Sequence, residues 1–321
     1  MKKLSKILLL SIALLILTSC NDYKYRVTMP TAGTGGSLYP LGASIAKVLN
    51  RTGDFKASLE ASGGGIDNLN IIYDKDANIS FGVSSIVSMS YEGEGIFKGR
   101  ENKHLRVIAS LYLNPNQVVV LKDKNINSLR DLENKKFSSG AVGSSTEMEY
   151  YYHMDAVGCE KENKVHLGPR ESMEEMKMGA MDGVWIMAGA PSAQITEMLL
   201  TTNSKVLSIP EDEMEKVIAK YPWYEKYTIK KDVYNTEDDI ETTATRMLIY
   251  TRDDCDEELV YNFTKVFWEN IEELKKENKV LKTVKIEEAG KGAGVIPIHP
   301  GAMKYYKEVL KWLKTIHLWG R

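Results

Sequence analysis

The stretch that decides the fold is residues 57–72, which read ASLEASGGGIDNLNII. Residues 57–59 are typical of a short strand, residues 62–65 form a loop of small residues, and Leu69 and Ile72 have the apolar spacing of a helix. The same order of strand, small-residue loop and helix recurs elsewhere in the chain. This alternation predicts an α/β fold with largely parallel sheets.

The order of strands and helices also predicts two lobes with a ligand cleft between them. Apolar runs at 105–111 and 118–121 are separated by Asn114-Pro115-Asn116, a turn signal. We expect the chain to cross between lobes near residues 114–117 and again near 243–246. The expected bounds are 25–115 plus 246–321 for lobe 1 and 116–245 for lobe 2.

The composition is that of an ordinary globular protein. The 321 residues carry 42 lysines and arginines against 44 aspartates and glutamates, a formal charge of -2, and 43% are hydrophobic. Disorder, collagen and coiled coil are therefore excluded. The near-neutral charge also provides no basic surface of the kind that nucleic-acid binding requires.

The first 20 residues have a different character. Three lysines precede an apolar run at residues 7–17, which is about half the length that a membrane-spanning helix needs. Residues 17–20, Leu-Thr-Ser-Cys, resemble a bacterial lipobox. We expect residues 1–19 to be a signal peptide, Cys20 to be acylated, and residues 20–24 to be a linker to the anchor. The alternative is a plain leader with an incidental cysteine.

The cysteines and histidines show no pattern of a disulfide framework or of a metal site. Cys159 and Cys255 are far apart in sequence and fall in different expected lobes, so we expect both to be unpaired. No two histidines have the close spacing of a metal-binding helix. The sequence predicts no metal site and no cofactor.

Small-residue loops stand before several of the predicted helices. Helix N-termini expose unpaired N–H groups and partial positive charge, so such loops are suited to carboxylates or phosphates. Helix capping alone would also explain any one of them. No glycine stretch matches a dinucleotide or a Walker fingerprint. The candidate loops are residues 34–37, 62–65, 84–85 and 143–146.

At these loops the chain resembles the TAXI family of solute-binding proteins, which are receptors of TRAP transporters. Residues 62–69 resemble that family's Ser-Gly-Gly-Ser-X-Glu-Asn-Leu, with Gly65 and Asp67 as departures, and residues 143–147 resemble its Gly-Ser-Gly-Thr-Glu. Residues 188–193 and 298–302 resemble Ala-Gly-Ala-Pro-Thr-Ala and Leu-His-Pro-Gly-Ala. The resemblance covers nearly all of the chain after the leader, in order.

The resemblance implies a bilobal, periplasmic-binding-protein-like (type II) fold. It implies capture of a small organic anion, glutamate-like or a dicarboxylate, by a monomer that delivers it to a TRAP membrane permease. Where the family often has Gln-Ser-Asp, this chain has Val83-Ser84-Ser85, so we expect a carboxylate ligand without an amino group. The ligand contacts that the resemblance implies are Thr34, Gly36, Ser37, Tyr39, Ser62, Gly63, Gly64, Ser84, Ser144, Ser145, Thr146, Ala188 and Gly189.

Two functions of other classes stay open from the sequence. One is an enzyme on the same bilobal scaffold, with Ser144 or Glu147 as the catalytic group, although no base can be named for the serine. The other is a surface adhesion lipoprotein. The loops before helices favour a binding cleft over an exposed adhesive face.

Overall fold

The computed structural model describes residues 23–33, 38–159 and 164–310. The strands are β1 (Tyr25–Pro30), β2 (Phe55–Glu60), β3 (Ser80–Val83), β4 (Leu105–Leu121), β5 (Phe137–Ser138), β6 (Gly183–Met187), β7 (Ser204–Val206), β8 (Glu225–Ile229) and β9 (Ile240–Arg252). The α-helices are α1 (Leu38–Arg51), α2 (Gly65–Tyr73), α3 (Ser84–Glu92), α4 (Ser145–Val157), α5 (Pro169–Lys177), α6 (Ala193–Thr201), α7 (Glu211–Lys220), α8 (Lys231–Tyr234), α9 (Glu257–Glu269), α10 (Ile271–Glu277) and α11 (Pro300–Val309).

The first sheet is built on β9 and the first part of β4. Strand β9 pairs antiparallel with β3 and with β4, and β1 pairs parallel with β2. The β1–β2 pair lies beside β3, where the Ile79 N–H donates to the Thr28 carbonyl at 3.4 Å. Helices α1, α9 and α11 contribute buried apolar side chains to this half because their apolar residues recur at helical spacing.

The second sheet contains the last part of β4 with β5, β6 and β7. Its side chains alternate between two cores, as the pleat of a strand requires. Val118 and Val120 face one core with Tyr150 of α4, whereas Val119 faces the other with Met198 of α6. Both faces of this sheet are therefore covered by helices, which makes the half a layered α/β unit.

The expectation of largely parallel sheets is wrong for the described part of the chain. Only β1–β2 and β5–β6 are parallel pairs there, whereas β3–β9, β4–β9, β8–β9, β4–β6 and β4–β7 are antiparallel. The reason is that β4 and β9 are long strands of opposite direction that take part in both halves. The fold remains α/β, with mixed sheets.

The expected turn at Asn114-Pro115-Asn116 is also wrong, because β4 is one continuous strand of 17 residues. Pro115 has no N–H, yet it pairs with Ala244 of β9, and its carbonyl accepts a hydrogen bond from the Ala188 N–H at 3.4 Å. From Asn116 onward, β4 pairs with β6 instead. The proline thus stands where the strand changes partners and a missing donor costs little.

Membrane-spanning helices, the two cysteines and the N-terminal leader are the remaining features about which the sequence makes a prediction. No helix among the described residues is long and apolar enough to cross a membrane. Cys159 and Cys255 are free thiols, which confirms that prediction. The proposed leader and the acylation site Cys20 lie outside the described residues.

Candidate functional site

A cavity of about 460 Å³ lies where the two halves meet. That volume falls within the range of small-molecule sites, about 300–1,000 Å³. Residues of β4 and β9, the start of α4 and the loop between β6 and α6 contribute to its wall. The apolar side chains of the wall include Leu38, Tyr112, Ile186, Met187, Met247 and Val280.

Asn114 is the most deeply buried polar side chain of the cavity wall. It is 4% exposed, and its Nδ2 has no hydrogen-bond partner among the described residues. A buried amide donor without a partner is costly unless something else accepts its proton. Its backbone is held by the pairing of β4 with β9, opposite Thr245, so the side chain has a fixed origin.

The N-terminus of α4 reaches the cavity through Thr146. Ser144 caps the helix, because its Oγ accepts the Glu147 N–H at 3.2 Å. The Glu147 carboxylate turns back to accept the Gly143 N–H at 2.6 Å. The N–H groups of Ser145 and Thr146 have no acceptor within the described chain, so the first turn keeps two donors for a ligand.

The loop before α2 is occupied by the chain's own side chains. The Gly63 N–H donates to Asp67 Oδ2 at 2.9 Å, and the Gly64 N–H donates to Ser62 Oγ at 3.2 Å. Ser62 Oγ in turn lies 2.6 Å from Oδ1 of Asn68. A carboxylate of the protein therefore already sits where a ligand anion would bind. Ser62, Gly63 and Gly64 do not line the cavity.

The two halves approach each other closely at two points. A Cβ added at Gly65, the first residue of α2, would lie 2.5 Å from Ser145 Oγ at the start of α4. A Cβ added at Gly189 would lie 3.1 Å from Val280 Cγ1. The lack of side chains at both glycines lets the walls of the cleft close to this separation.

The Ala188–Gly189 segment is fixed by strand β4. Gln117 Nε2 donates to the Ala188 carbonyl at 2.8 Å, and Gln117 Oε1 accepts from the Tyr234 hydroxyl at 2.6 Å. Ala188 and Gly189 both line the cavity. Gln117 therefore holds Ala188 and Gly189 at the cavity wall, although no role for Gln117 was predicted from the sequence.

The remaining sequence-derived candidates lie away from the cavity or outside the described chain. Ser84 is fully buried, and its Oγ is 2.7 Å from Thr245 Oγ1 and accepts the Arg246 N–H at 3.2 Å. Tyr39 is half-buried on α1 and does not line the cavity, although its neighbour Leu38 does. Thr34, Gly36 and Ser37 lie outside the described residues.

A buried polar network ties α3 to α4 beside the crossing strands. Ser85 Oγ donates to Glu149 Oε1 at 2.6 Å, and Asn116 Nδ2 donates to Oε2 at 3.0 Å. Asn116 cannot turn over, because its Oδ1 accepts from Trp185 Nε1 at 2.8 Å. Burial raises the pKa of Glu149, although the hydrogen bonds from Ser85 and Asn116 act in the opposite direction.

His153 completes this network from α4. Its Nδ1 lies 2.6 Å from the Glu149 carbonyl oxygen, so Nδ1 carries the proton, and Nε2 accepts from the Thr243 hydroxyl at 2.6 Å. The imidazole packs against the rings of Trp185 and Tyr224, and the distance between ring centroids is 4.8 Å in each case. Burial lowers the pKa of His153 to about 4, and the imidazole is neutral at pH 7.

The catalytic alternative finds no support in the geometry around Ser144. Its Oγ serves as the helix cap, and among the described residues no histidine contacts it. Glu147 pairs with Nδ1 of His166 at 3.0 Å, and the same nitrogen is 3.1 Å from Ser139 Oγ. In a catalytic triad the histidine uses two different ring nitrogens, one to contact the carboxylate and one to contact the nucleophile. His166 uses Nδ1 for both contacts, so this arrangement is not that of a triad.

The C-terminal motif at residues 298–302 has a packing role. His299 caps α11, because its Nδ1 accepts the Gly301 N–H at 3.2 Å. A Cβ added at Gly301 would collide with the Glu257 carbonyl oxygen of α9. The glycine is therefore required for the close approach of two helices.

The chain is similar to several solved structures. A TctC solute binding protein from Polaromonas is 13% identical, with 78% of this chain and 86% of that chain covered and a TM-score of 0.50. The periplasmic aliphatic sulphonate binding protein SsuA from Escherichia coli is 12% identical, with 88% and 82% covered and a TM-score of 0.47. The probable amino-acid ABC transporter extracellular-binding protein ytmK from Bacillus subtilis is 13% identical, with 80% and 97% covered and a TM-score of 0.49.

The mixed sheets with helices on both faces agree with the bilobal type II fold of periplasmic binding proteins. A family model described as the NMT1-like family matches residues 29–309. Since that match includes most of the 321 residues, the chain belongs to the NMT1-like family.

Proposed function

We propose that this protein is an extracytoplasmic solute-binding receptor of a TRAP-type transporter of the TAXI class. It captures a small organic anion in the cleft and delivers it to the membrane permease subunit. The observation that carries the proposal is the cavity of about 460 Å³ between the halves, which the N-terminus of α4 reaches at Thr146. Such a cleft, built from both halves, closes over a ligand by hinge motion.

The lobe bounds follow from the same proposal. We propose residues 25–115 with 246–321 as one lobe and residues 116–245 as the other; residues 34–37, 160–163 and 311–321 of these ranges lie outside the described residues. The strand pairing supports this division, since β4 pairs with β9 up to Pro115 and with β6 from Asn116. The two strands that cross between the halves serve as the hinge.

We further propose that residues 1–19 are removed, that Cys20 carries the lipid anchor, and that the receptor is a monomer. Mass spectrometry of the N-terminal peptide from membranes of the native host tests the anchor. An unmodified Cys20, or a chain that retains residues 1–19, would contradict it.

Native mass spectrometry of the purified protein tests the receptor function. We expect a small acidic compound to be retained and to be released on denaturation. Its turnover by the protein would support the enzyme alternative instead. Uptake of the released compound by vesicles that contain a TRAP permease, only when this protein is added, tests the transporter class.

A matched pair of variants links binding to the cleft. Thr146→Val removes a hydroxyl at the cavity, and Thr196→Val removes an exposed hydroxyl on α6 that bonds only to its own helix. Retention of the compound should fall for Thr146→Val alone. Equal retention by both variants would place the ligand elsewhere.

A further inference from the structure

We propose that helix α4 is latched onto the first half of the molecule by its own side chains, and that the hydrogen bond between Ser85 and Glu149 is the latch. The latch holds the cleft closed before a ligand enters, and ligand entry requires its release. Because the latch is the same whichever compound binds, it goes beyond the proposed receptor function.

One face of α4 packs against the first half along two turns of the helix. Residues three, four and seven positions apart lie on one face of a helix. On α4 this face is formed by Ser145, Met148, Glu149 and Tyr152. Met148 and Tyr152 join the apolar core of the first half, and a Cβ added at Gly95 of that half would lie 3.3 Å from the Tyr152 hydroxyl oxygen. This face of α4 is therefore a contact surface between the two halves.

The polar contact on this face is the hydrogen bond from Ser85 Oγ to Glu149 Oε1, which is 2.6 Å long. Ser85 lies in the first turn of α3, in the first half, and neither Ser85 nor Glu149 has exposed surface. The second carboxylate oxygen accepts from Asn116 Nδ2 at 3.0 Å. A buried polar group that loses its partner is costly, so movement of α4 away from α3 is opposed at this point.

Strand β9, which crosses between the halves, fixes the position of Ser85. The Ser85 N–H donates to Thr245 Oγ1 at 3.3 Å. Thr245 in turn pairs with Asn114 of β4, a residue of the cavity wall. At the other end of the latch, α4 lines the cavity through Thr146, one turn before Glu149. The latch therefore connects a wall of the cavity to a strand that passes between the halves.

The close approach of Gly65 and Ser145 provides a probe of closure. A Cβ added at Gly65 would lie 3.9 Å from Ser145 Cβ, and a disulfide requires a Cβ–Cβ distance of about 3.5–4.5 Å. We therefore combine Gly65→Cys with Ser145→Cys in a chain whose own three cysteines are replaced by serine. Oxidation then locks the cleft of this dithiol protein, and refolding from urea beforehand removes any retained compound.

Small-angle X-ray scattering compares the reduced and the oxidised dithiol protein. We expect the disulfide to form and the two forms to have the same radius of gyration, because the latch already closes the reduced form. A larger radius for the reduced form would overturn the inference, and so would failure of the disulfide to form.

The role of the latch is tested by adding Ser85→Ala to the dithiol protein, with Ser80→Ala as the control. Ser80 is equally buried, but its Oγ donates to the Pro30 carbonyl at 3.1 Å within the first half. We expect Ser85→Ala to give the reduced form a larger radius than the oxidised form. Its ratio of disulfide to dithiol in a glutathione buffer should fall by up to about tenfold, whereas Ser80→Ala should change neither quantity.

Glu149→Gln is the second variant, because it keeps the shape of the side chain. Its amide cannot accept from both Ser85 and Asn116, so the reduced form should again have the larger radius. If neither Ser85→Ala nor Glu149→Gln alters the radius and the disulfide ratio, the hydrogen bond is not the latch. An equal effect of Ser80→Ala would also overturn the assignment. Since no ligand is present, such a failure would leave the receptor function to be decided by the retained compound.

Discussion

Acidification should destabilise this protein through protonation of the buried imidazole of His153. Burial lowers the pKa of this imidazole in the folded protein from 6.5 to about 4, whereas in the unfolded chain it keeps its ordinary value. Between these values the unfolded state binds more protons, so stability rises with pH and is lost as the pH falls from about 6.5 to 4. A change of this size in the pKa of one group corresponds to about 3 kcal/mol.

The contacts of the ring explain why protonation is disfavoured. Nε2 accepts the Thr243 hydroxyl proton, and the ring is enclosed by Trp185 and Tyr224. Adding a proton to Nε2 removes that hydrogen bond and places a charge in a fully buried site. Because Thr243 belongs to β9 and His153 to α4, protonation removes a hydrogen bond that joins the crossing strand to the second half.

The assay is urea denaturation at a series of pH values between 7.5 and 4, for the unmodified protein and for His153→Gln. The neighbouring Glu149 has a raised pKa, so its ionisation lowers stability as the pH rises above its ordinary value of 4.5, which opposes the histidine effect. Both proteins share that contribution, so their difference isolates His153.

We expect the unmodified protein to lose about 3 kcal/mol more than His153→Gln over this range. Two parallel curves would refute the argument, since they would mean that the imidazole titrates normally in the folded protein. A steeper fall for His153→Gln would refute it as well.

The other predictions concern the helix cap, the helix contact and the closure of the cleft. Ser144→Ala should lower the free energy of unfolding by about 0.5–2 kcal/mol, because it removes the cap of α4. Thr146→Val should instead reduce ligand affinity with little change in melting temperature. A loss of affinity for Ser144→Ala and a loss of stability for Thr146→Val would mean that the two roles are exchanged. Gly301→Ala should lower the melting temperature markedly, because the added Cβ meets backbone atoms of α9. The control Lys307→Ala, on the exposed face of the same helix, should leave the melting temperature unchanged. Equal melting curves for the two variants would contradict the contact. Gly189→Ala should weaken binding while the fold is kept, since the added methyl group meets Val280 across the cleft; calorimetry that shows unchanged affinity would mean that the cleft does not need this closure.

Local patterns in the sequence predicted much of the secondary structure and part of the site. The strand, small-residue loop and helix at residues 57–72 correspond to β2 and α2, and the loop at residues 143–146 opens α4. Thr146, Ala188 and Gly189 line the cavity. These features depend on capping and on apolar spacing over a few residues, so the sequence contains them directly.

Asn114 shows where local reasoning failed. Asparagine and proline are typical of turns, so Asn114-Pro115-Asn116 has the local pattern of a turn between two strands. Pairing with β9, whose residues follow more than 120 positions later, extends the segment as one strand. Tyr112, Met187 and Met247 were missed for a related reason, because an apolar side chain at a cavity has the same pattern as one in a core.

The sequence by itself determined the alternation of strands and helices, the small-residue loops and the caps at the helix starts, because each depends on neighbours within a few residues. Only the tertiary structure decided which loops face the cavity. Asp67 accepts the N–H of Gly63 in its own loop, whereas the N–H groups of Ser145 and Thr146 at the start of α4 have no acceptor among the described residues. The wall of the cleft likewise combines Asn114, Thr146 and Met247, which are distant in sequence and are brought together by the two long crossing strands and the start of α4.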